Sequence, residues 1–224
     1  NNVNQIVEMD ETVLASLNSD FNYANGSYLT RIQVANAFGS IYGFRSKGVY
    51  QYTEYSPEEI KGVSGPKAPV ARDANGNVIT DEKGEPLPMM FDYGGVNYEF
   101  KGGDAIYEDV NHDGNINALD IVYLGSSLPK LTGGFGFNLK YAKWRLNTQF
   151  NYRVGNKILN LARLDAEAMI GNNNQSKAVN HRWRKEGDNT SIPRAMFGAG
   201  SNYNTLISDR FVEDGSFLRL NYIQ

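Results

Sequence analysis

The clearest regularity in the chain lies at 132–154, where every second position is apolar or nearly so. One face carries Phe135, Phe137, Leu139 and Tyr141, then Trp144, Leu146, Thr148, Phe150 and Tyr152. The other carries Gly136, Asn138 and Lys140, then Arg145, Asn147, Gln149, Asn151 and Arg153. Successive side chains of an extended backbone point to opposite sides, so a period of two predicts strands, here an antiparallel pair joined by a tight turn. With Ala142 and Lys143 in the turn, Tyr141 faces Trp144, Leu139 faces Leu146 and Phe135 faces Phe150, which aligns aromatic and aliphatic pairs across the ladder. A slip of one residue would destroy that match. The same register sets Lys140 opposite Arg145, a like-charge pair unfavourable against a dry core and tolerable beside water. The polar face is therefore expected to be wet. Ala-Lys lacks the Asn-Gly or Asp-Gly chemistry of a two-residue hairpin, which leaves a four-residue loop of the same parity open.

Weaker alternation occurs at 27–38, with Tyr28, Thr30, Ile32 and Val34 on one side, and at 216–223, where Leu218, Leu220 and Tyr222 alternate with Arg219 and Asn221. The second pattern stops at Gln224 in mid-course, as expected of a truncated sequence. Long polar stretches lie between. The stretch 57–103 holds all but two of the prolines and two turn-like units, 73–76 (Asp-Ala-Asn-Gly) and 81–84 (Asp-Glu-Lys-Gly), which together predict a small surface hairpin. The stretch 155–210 predicts a short helix at 158–170, followed by the Asn-rich run 171–175. Long connections on one side and short turns on the other suit an outer-membrane barrel. There is no sustained internal repeat and no domain linker.

Composition narrows the choices without making one. The 224 residues, 41% hydrophobic, supply enough apolar material for a core. The balance of 22 basic against 25 acidic residues points to no nucleic-acid surface. The absence of cysteine removes disulfides, thiolate nucleophiles and thiolate zinc sites, and leaves the redox compartment undetermined. No apolar run approaches the roughly 18 to 20 residues of a membrane-spanning helix, and no basic-then-apolar leader opens the sequence. Membrane-spanning strands escape this test, since each needs only about 9 to 11 alternating residues. Fourteen tyrosines and 23 glycines suit strands, turns and interfacial belts, and suit a soluble all-β domain equally well. The hairpin's apolar face is Phe, Tyr and Trp rather than the Val, Ile and Leu usual in a sandwich core. Tyr141 and Trp144 beside the turn stand where an interfacial girdle would lie.

The sharpest local motif is 109–120, Asp-Val-Asn-His-Asp-Gly-Asn-Ile-Asn-Ala-Leu-Asp. Its oxygen side chains fall at loop positions 1, 3, 5, 9 and 12, from Asp109, Asn111, Asp113, Asn117 and Asp120. Gly114 supplies the sharp turn at position 6, and Asn115 offers its carbonyl at position 7, the layout of a calcium loop. Asp120 is shorter than the usual bidentate glutamate and no helix is predicted before Asp109, so a paired helix-loop-helix sensor is not expected. A bound Ca²⁺ would rigidify the loop. The competing reading is an Asx-rich turn whose side chains cap their own backbone. Catalytic constellations are poor: only His112 and His181 are present, with no nucleophile elbow and no phosphate-cradling loop. His112 is expected to face solvent. The run His181, Arg182, Trp183, Arg184, Lys185 reads better as a solvated loop with one packed tryptophan than as a basic-aromatic ligand patch. The carboxylates around 81–85 and at Glu213 and Asp214 show no sign of a shaped pocket, so glycoside hydrolysis is not expected. The chain is read as no enzyme.

Four segments taken together, 41–51 (Ile-Tyr-Gly-Phe-Arg-Ser-Lys-Gly-Val-Tyr-Gln), 107–116, 124–136 and 208–220, resemble the SusC/RagA family of TonB-dependent outer-membrane transporters of Bacteroidota. Arg182 and Trp183 ahead of Pro193 and Arg194 resemble it too. The segments occur in family order from about Gly39 onward, with 1–38 matching more loosely. The resemblance implies an all-β chain, a fragment of a large antiparallel transmembrane β-barrel of about 22 strands with long extracellular loops. On that view 1–224 is a late part of the barrel, 57–127 and 156–210 are mainly extracellular loops, and the plug domain, the TonB-contacting segment and the closing strand are absent from these residues. It further implies a place in the cell outer membrane, lipid against the aromatic face, a SusD-like surface lipoprotein as cap, energy from the TonB complex through other parts of the parent chain, and import of oligosaccharides or peptides. No nucleic-acid partner is expected. Lys140, Arg145, Asn147 and Arg153 would point into the wet lumen. The alternative is a secreted, calcium-stabilised β-rich binding module whose aromatic strands pack a private core.

Overall fold

The computed structural model describes residues 7–8, 10, 12, 39–51, 69–93, 96–196 and 202–224. The strand expected at 27–38 lies outside them. In chain order the described elements are β1 (Ser40–Gly43), β2 (Ser46–Val49), β3 (Met90–Tyr93), β4 (Val96–Glu99), β5 (Ala105–Tyr107), β6 (Asn115–Ile116), β7 (Val122–Ser126), β8 (Leu131–Tyr141), β9 (Trp144–Val154), β10 (Lys157–Leu159), the short helix α1 (Leu161–Ala166), β11 (Val212–Asp214) and β12 (Phe217–Ile223). Strands dominate, and no helix among the described residues is long and apolar enough to cross a membrane.

The longest strands, β8 and β9, pair antiparallel in the register expected from the alternation: Tyr141 opposite Trp144, Lys140 opposite Arg145, Leu139 opposite Leu146 and Phe135 opposite Phe150. The turn is the two-residue one. Ala142 takes the left-handed conformation there, at φ 51°, although it lacks the local hydrogen bonding that eases Asn or Asp into that region. Strand β12 adds to the far edge of β9, giving the order β12-β9-β8. A bulge between Leu220 and Tyr222 sets Tyr222 opposite Gln149, so Tyr222 joins the polar face. Simple alternation would have left it with Leu218 and Leu220. The aromatic face packs on itself, with the Phe135 and Phe150 rings stacked at 5.0 Å, yet Phe135 is 50% exposed and Trp144 80%.

The core sits elsewhere. Phe44, Tyr50, Ala71, Met89, Phe91, Phe100, Ala105, Tyr107, Ile116, Leu206 and Ile207 form a buried cluster supplied by β3, β5 and β6, by residues flanking β1, β2, β3 and β4, by Ala71 and by the segment before β11. The ranges read as loops, 57–127 and 156–210, thus contribute most of the described hydrophobic core. The strands around this core are short: β1 pairs with β7, β2 with β5 and β10 with β11 at long range, while β3 lies between its hairpin partner β4 and β6. The predicted surface hairpin is present, with Asp73 and Asp81 each accepting backbone N–H groups of their own turns and bridges joining Arg72 to Val78 and Thr80 to Pro86. The helix expected at 158–170 is shorter. Lys157, Ile158 and Leu159 form β10 against Asp214, Glu213 and Val212, and Asn160 caps α1 by accepting from Arg163 N.

Candidate functional sites

Two features concentrate chemistry: the polar face of the β12-β9-β8 sheet and the loop 109–120. The sheet's polar face is built by alternation alone, which brings Asn138 and Lys140 of β8 beside Arg145, Asn147, Gln149, Asn151 and Arg153 of β9. Arg219 of β12 stands opposite Asn151, and Phe217 opposite Arg153. The guanidinium groups of Arg153 and Arg219 both lie over the Phe217 ring, at 5.9 and 5.4 Å. Near the turn, Asn138, Leu139, Lys140, Arg145, Asn147 and Tyr222 line an open recess of about 440 Å³. No ion pair among the described residues reaches Lys140 or Arg145.

The loop 109–120 is knotted by its own side chains. Asp109 accepts from Gly114 N at 2.8 Å, and Asp113 accepts from Asn115 N at 2.8 Å and from the Asn111 amide at 2.8 Å. Asn117 accepts from Leu119 N, and Asp120, fully buried, accepts from Val110 N and Asn117 N, each at 2.8 Å. Gly114 has φ 84°, and a side chain there would also meet Ala71 at 2.6 Å, so both the turn and the packing call for glycine. His112 is exposed at φ 58°, as expected of a solvent-facing loop residue. Burial pushes the Asp120 carboxyl up, the two amide hydrogen bonds pull it back, and the nearby Asp109 and Asp113 push it further up.

The donor set is hard oxygen throughout, which suits Ca²⁺. As placed, Asp109, Asp113 and Asp120 do not converge into a metal-holding group among the described residues. Their oxygens serve the loop's own N–H groups, the arrangement of an Asx-rich turn. Asp109 and His112 also line a cavity of about 340 Å³ with Lys47, Tyr50, Tyr107 and Glu108, where Arg45 and Lys47 both pair with Glu108 at 2.8 Å.

Two buried polar nodes were not visible in the sequence. Asp104, with no exposure, accepts from Arg194 Nε at 2.7 Å, from the Tyr98 hydroxyl at 2.7 Å, from Lys101 N at 2.8 Å and from the Asn204 amide at 3.2 Å. Glu167 receives Arg163 Nε at 2.9 Å and the Arg210 guanidinium. Arg194 and Asn204 lie 90 and 100 residues from Asp104, and Arg210 lies 43 from Glu167, so no local spacing announces those partners. Trp183 is packed, as expected, with its ring N–H donating to Gln51 Oε1 at 3.0 Å.

No family model matches the chain. Three curated proteins of Formosa agariphila do. TonB-dependent receptor P3 is 27% identical over 201 residues, or 88% of this chain. TonB-dependent receptor P26 is 36% identical over 122 residues, or 54% of it, and TonB-dependent receptor P39 is 26% identical over 228 residues, covering 96%. This chain is similar in sequence to these TonB-dependent receptors. It spans 16%, 12% and 21% of the length of those three receptors. Among solved structures, that of the RagAB peptide transporter aligns over 99% of this chain and 18% of its own, with a TM-score of 0.48 and 16% identity. The expectation of a non-enzymatic chain agrees with the curated relatives being receptors.

Proposed function

We propose that this receptor relative forms part of the wall and surface unit of an outer-membrane β-barrel transporter, energised through the TonB complex and importing oligosaccharides or peptides with a SusD-like lipoprotein as cap. The single observation that carries the reading is the hairpin of β8 and β9. Each strand has 11 residues, with one aromatic face left exposed and one cationic, amide-rich face. A strand of about 9 to 11 residues crosses a bilayer, lipid takes the apolar side and water the other. A secreted module would have to bury that aromatic face in a core, and among the described residues the core forms without it.

The test is to extract the native protein from outer membranes in mild detergent and determine by mass spectrometry the length of the polypeptide and what copurifies. A parent chain several times longer with a lipoprotein attached is the expected result. A free species of this length in the soluble fraction would overturn the reading and leave the calcium-stabilised module. We propose also that loop 109–120 takes Ca²⁺ as a structural ion, supported by its six oxygen donors at calcium-loop spacing. Titration calorimetry of the intact protein should show calcium-dependent heat reversed by chelator; no heat and no change in melting would remove the metal.

A further inference from the structure

The cavity of about 340 Å³ beside β2 and β5 opens the hydrophobic core toward solvent. Its floor is apolar: Tyr50, Val70, Met89 and Tyr107 are buried, and Pro69 and Ile106 complete it. Tyr50, Met89 and Tyr107 are themselves members of the core cluster. The Tyr107 hydroxyl is engaged with the buried Leu206 N at 3.2 Å. The segments that carry the floor are tied to one another, with Val49 paired to Ala105, Tyr50 N donating to Asp104 O at 2.9 Å and Met89 N donating to Pro69 O at 2.6 Å. The space is therefore preformed, and its volume is that of a small-ligand site. Lys47, Arg72, Glu108, Asp109 and His112 surround it. Much of their bonding capacity is spent inside the protein. Glu108 takes Arg45 and Lys47 at 2.8 Å each, Arg72 donates to Gly76 O at 3.0 Å, and Asp109 accepts from Gly114 N at 2.8 Å.

We propose, on the transporter reading, that this pocket receives a bulky aliphatic side chain of an imported peptide, and so favours peptides over oligosaccharides as cargo. A leucine or isoleucine side chain leaves water against Val70, Met89 and Ile106 and asks for no hydrogen bond there. A sugar ring carries hydroxyls around its edge, and those turned toward this floor would give up water without gaining a partner. The rim suits the backbone of a peptide: Lys47 and His112, both exposed, offer donors to its carbonyls once the side chain is seated. Two acids face two bases around the opening, so the rim selects no strongly charged ligand.

The test uses the full-length protein extracted from outer membranes with whatever copurifies, irradiated with the pentapeptide Gly-Gly-photoleucine-Gly-Gly, whose diazirine side chain inserts into bonds it touches. Mass-spectrometric mapping should place the adduct on Val70, Met89 or Ile106. Unlabelled Gly-Gly-Leu-Gly-Gly should compete roughly 10- to 100-fold better than pentaglycine, the worth of burying one leucine side chain, and maltohexaose should not compete. Ile106→Trp, which fills the pocket, should lose the adduct while still extracting from the outer membrane; should that variant not fold, the native map and the competition decide alone. The pocket assignment is overturned by adducts that miss these three residues, by competition from pentaglycine or maltohexaose as strong as from the leucine peptide, or by an adduct that persists in folded Ile106→Trp. Outer-membrane residence and polypeptide length are read on the same preparation, so the pocket can fail while the transporter reading stands, and a short soluble species would sink that reading instead.

Discussion

Asp104 accepts hydrogen bonds from four residues, and its cationic partner, Arg194, lies 90 residues away in sequence. Arg194, Tyr98 and Asn204 converge on it from two distant segments, so it ties the stretch after Trp183 to the hydrophobic core. Replacing it, as in Asp104→Ala, strands a guanidinium and a phenol; with Arg194 still 31% exposed the loss is expected at about 2 to 4 kcal/mol, below the full value for a dry pair. A lower denaturant midpoint followed by Trp183 fluorescence would check it. Tyr98 adds a pH signature. Burial first, then the Asp104 carboxylate, raises its phenol far above the ordinary 10.0, partly countered by Arg194. The fold therefore favours the neutral phenol, and that contribution is complete below pH 10.0 and lost as pH rises through the higher folded value. The melting temperature of the native protein should fall more steeply above pH 10.0 than that of Tyr98→Phe. Gly103, at φ 86°, lies under the Trp183 ring, and a Cβ there would stand 2.3 Å from it. Gly103→Ala combines left-handed strain with overpacking and should cost roughly 2 to 4 kcal/mol, with a red shift in Trp183 emission.

At the scale of elements, legibility follows the range of the pairing. The β8-β9 hairpin could be read residue by residue, because its partners are adjacent in sequence and a period of two fixes both register and face. Strand β12 was legible only up to Leu220, since the bulge that turns Tyr222 toward the polar face leaves no mark in the hydrophobic pattern. The helix boundary failed for a related reason: Ile158 and Leu159 fit an apolar helical stripe as well as a strand, and the long-range partner Val212–Asp214 decided between them. The metal-like loop was legible as a set of oxygen donors, but spacing alone does not say whether those oxygens serve an ion or their own backbone. Face assignment can be measured on the hairpin. Phe150→Arg puts a charge on the aromatic side and should cost about 2 to 4 kcal/mol if that position faces the bilayer midplane. Asn147→Arg, on the polar side, should leave stability nearly unchanged. Urea titration of the protein refolded into lipid vesicles compares the two, and equal costs would contradict the assignment of lipid to the aromatic face.

The described residues divide by burial. A compact unit built from short strands buries Phe44, Phe100, Phe211 and Ile116 completely, while the three-stranded sheet leaves its aromatics outside. This organisation was the least visible part of the sequence, because segments of two to five residues with partners as distant as Ser40 and Ser126 look like loops when read locally. Two environments should then coexist in one native chain, and its two tryptophans sample one each: Trp183, 5% exposed, in the compact unit and Trp144, 80% exposed, at the hairpin turn. With the full-length protein in vesicles of bromine-labelled lipid, quenching requires a ring within reach of the acyl region or its boundary. Trp144→Phe should remove a quenchable component from the emission, and Trp183→Phe should remove an unquenched one. A denaturant step that exposes Trp183 while Trp144 remains quenched would show that the compact unit melts against water as an ordinary core does, with the wall held by lipid and by neighbouring strands. Loss of both signals in one step would mean instead that the unit and the wall are a single cooperative structure.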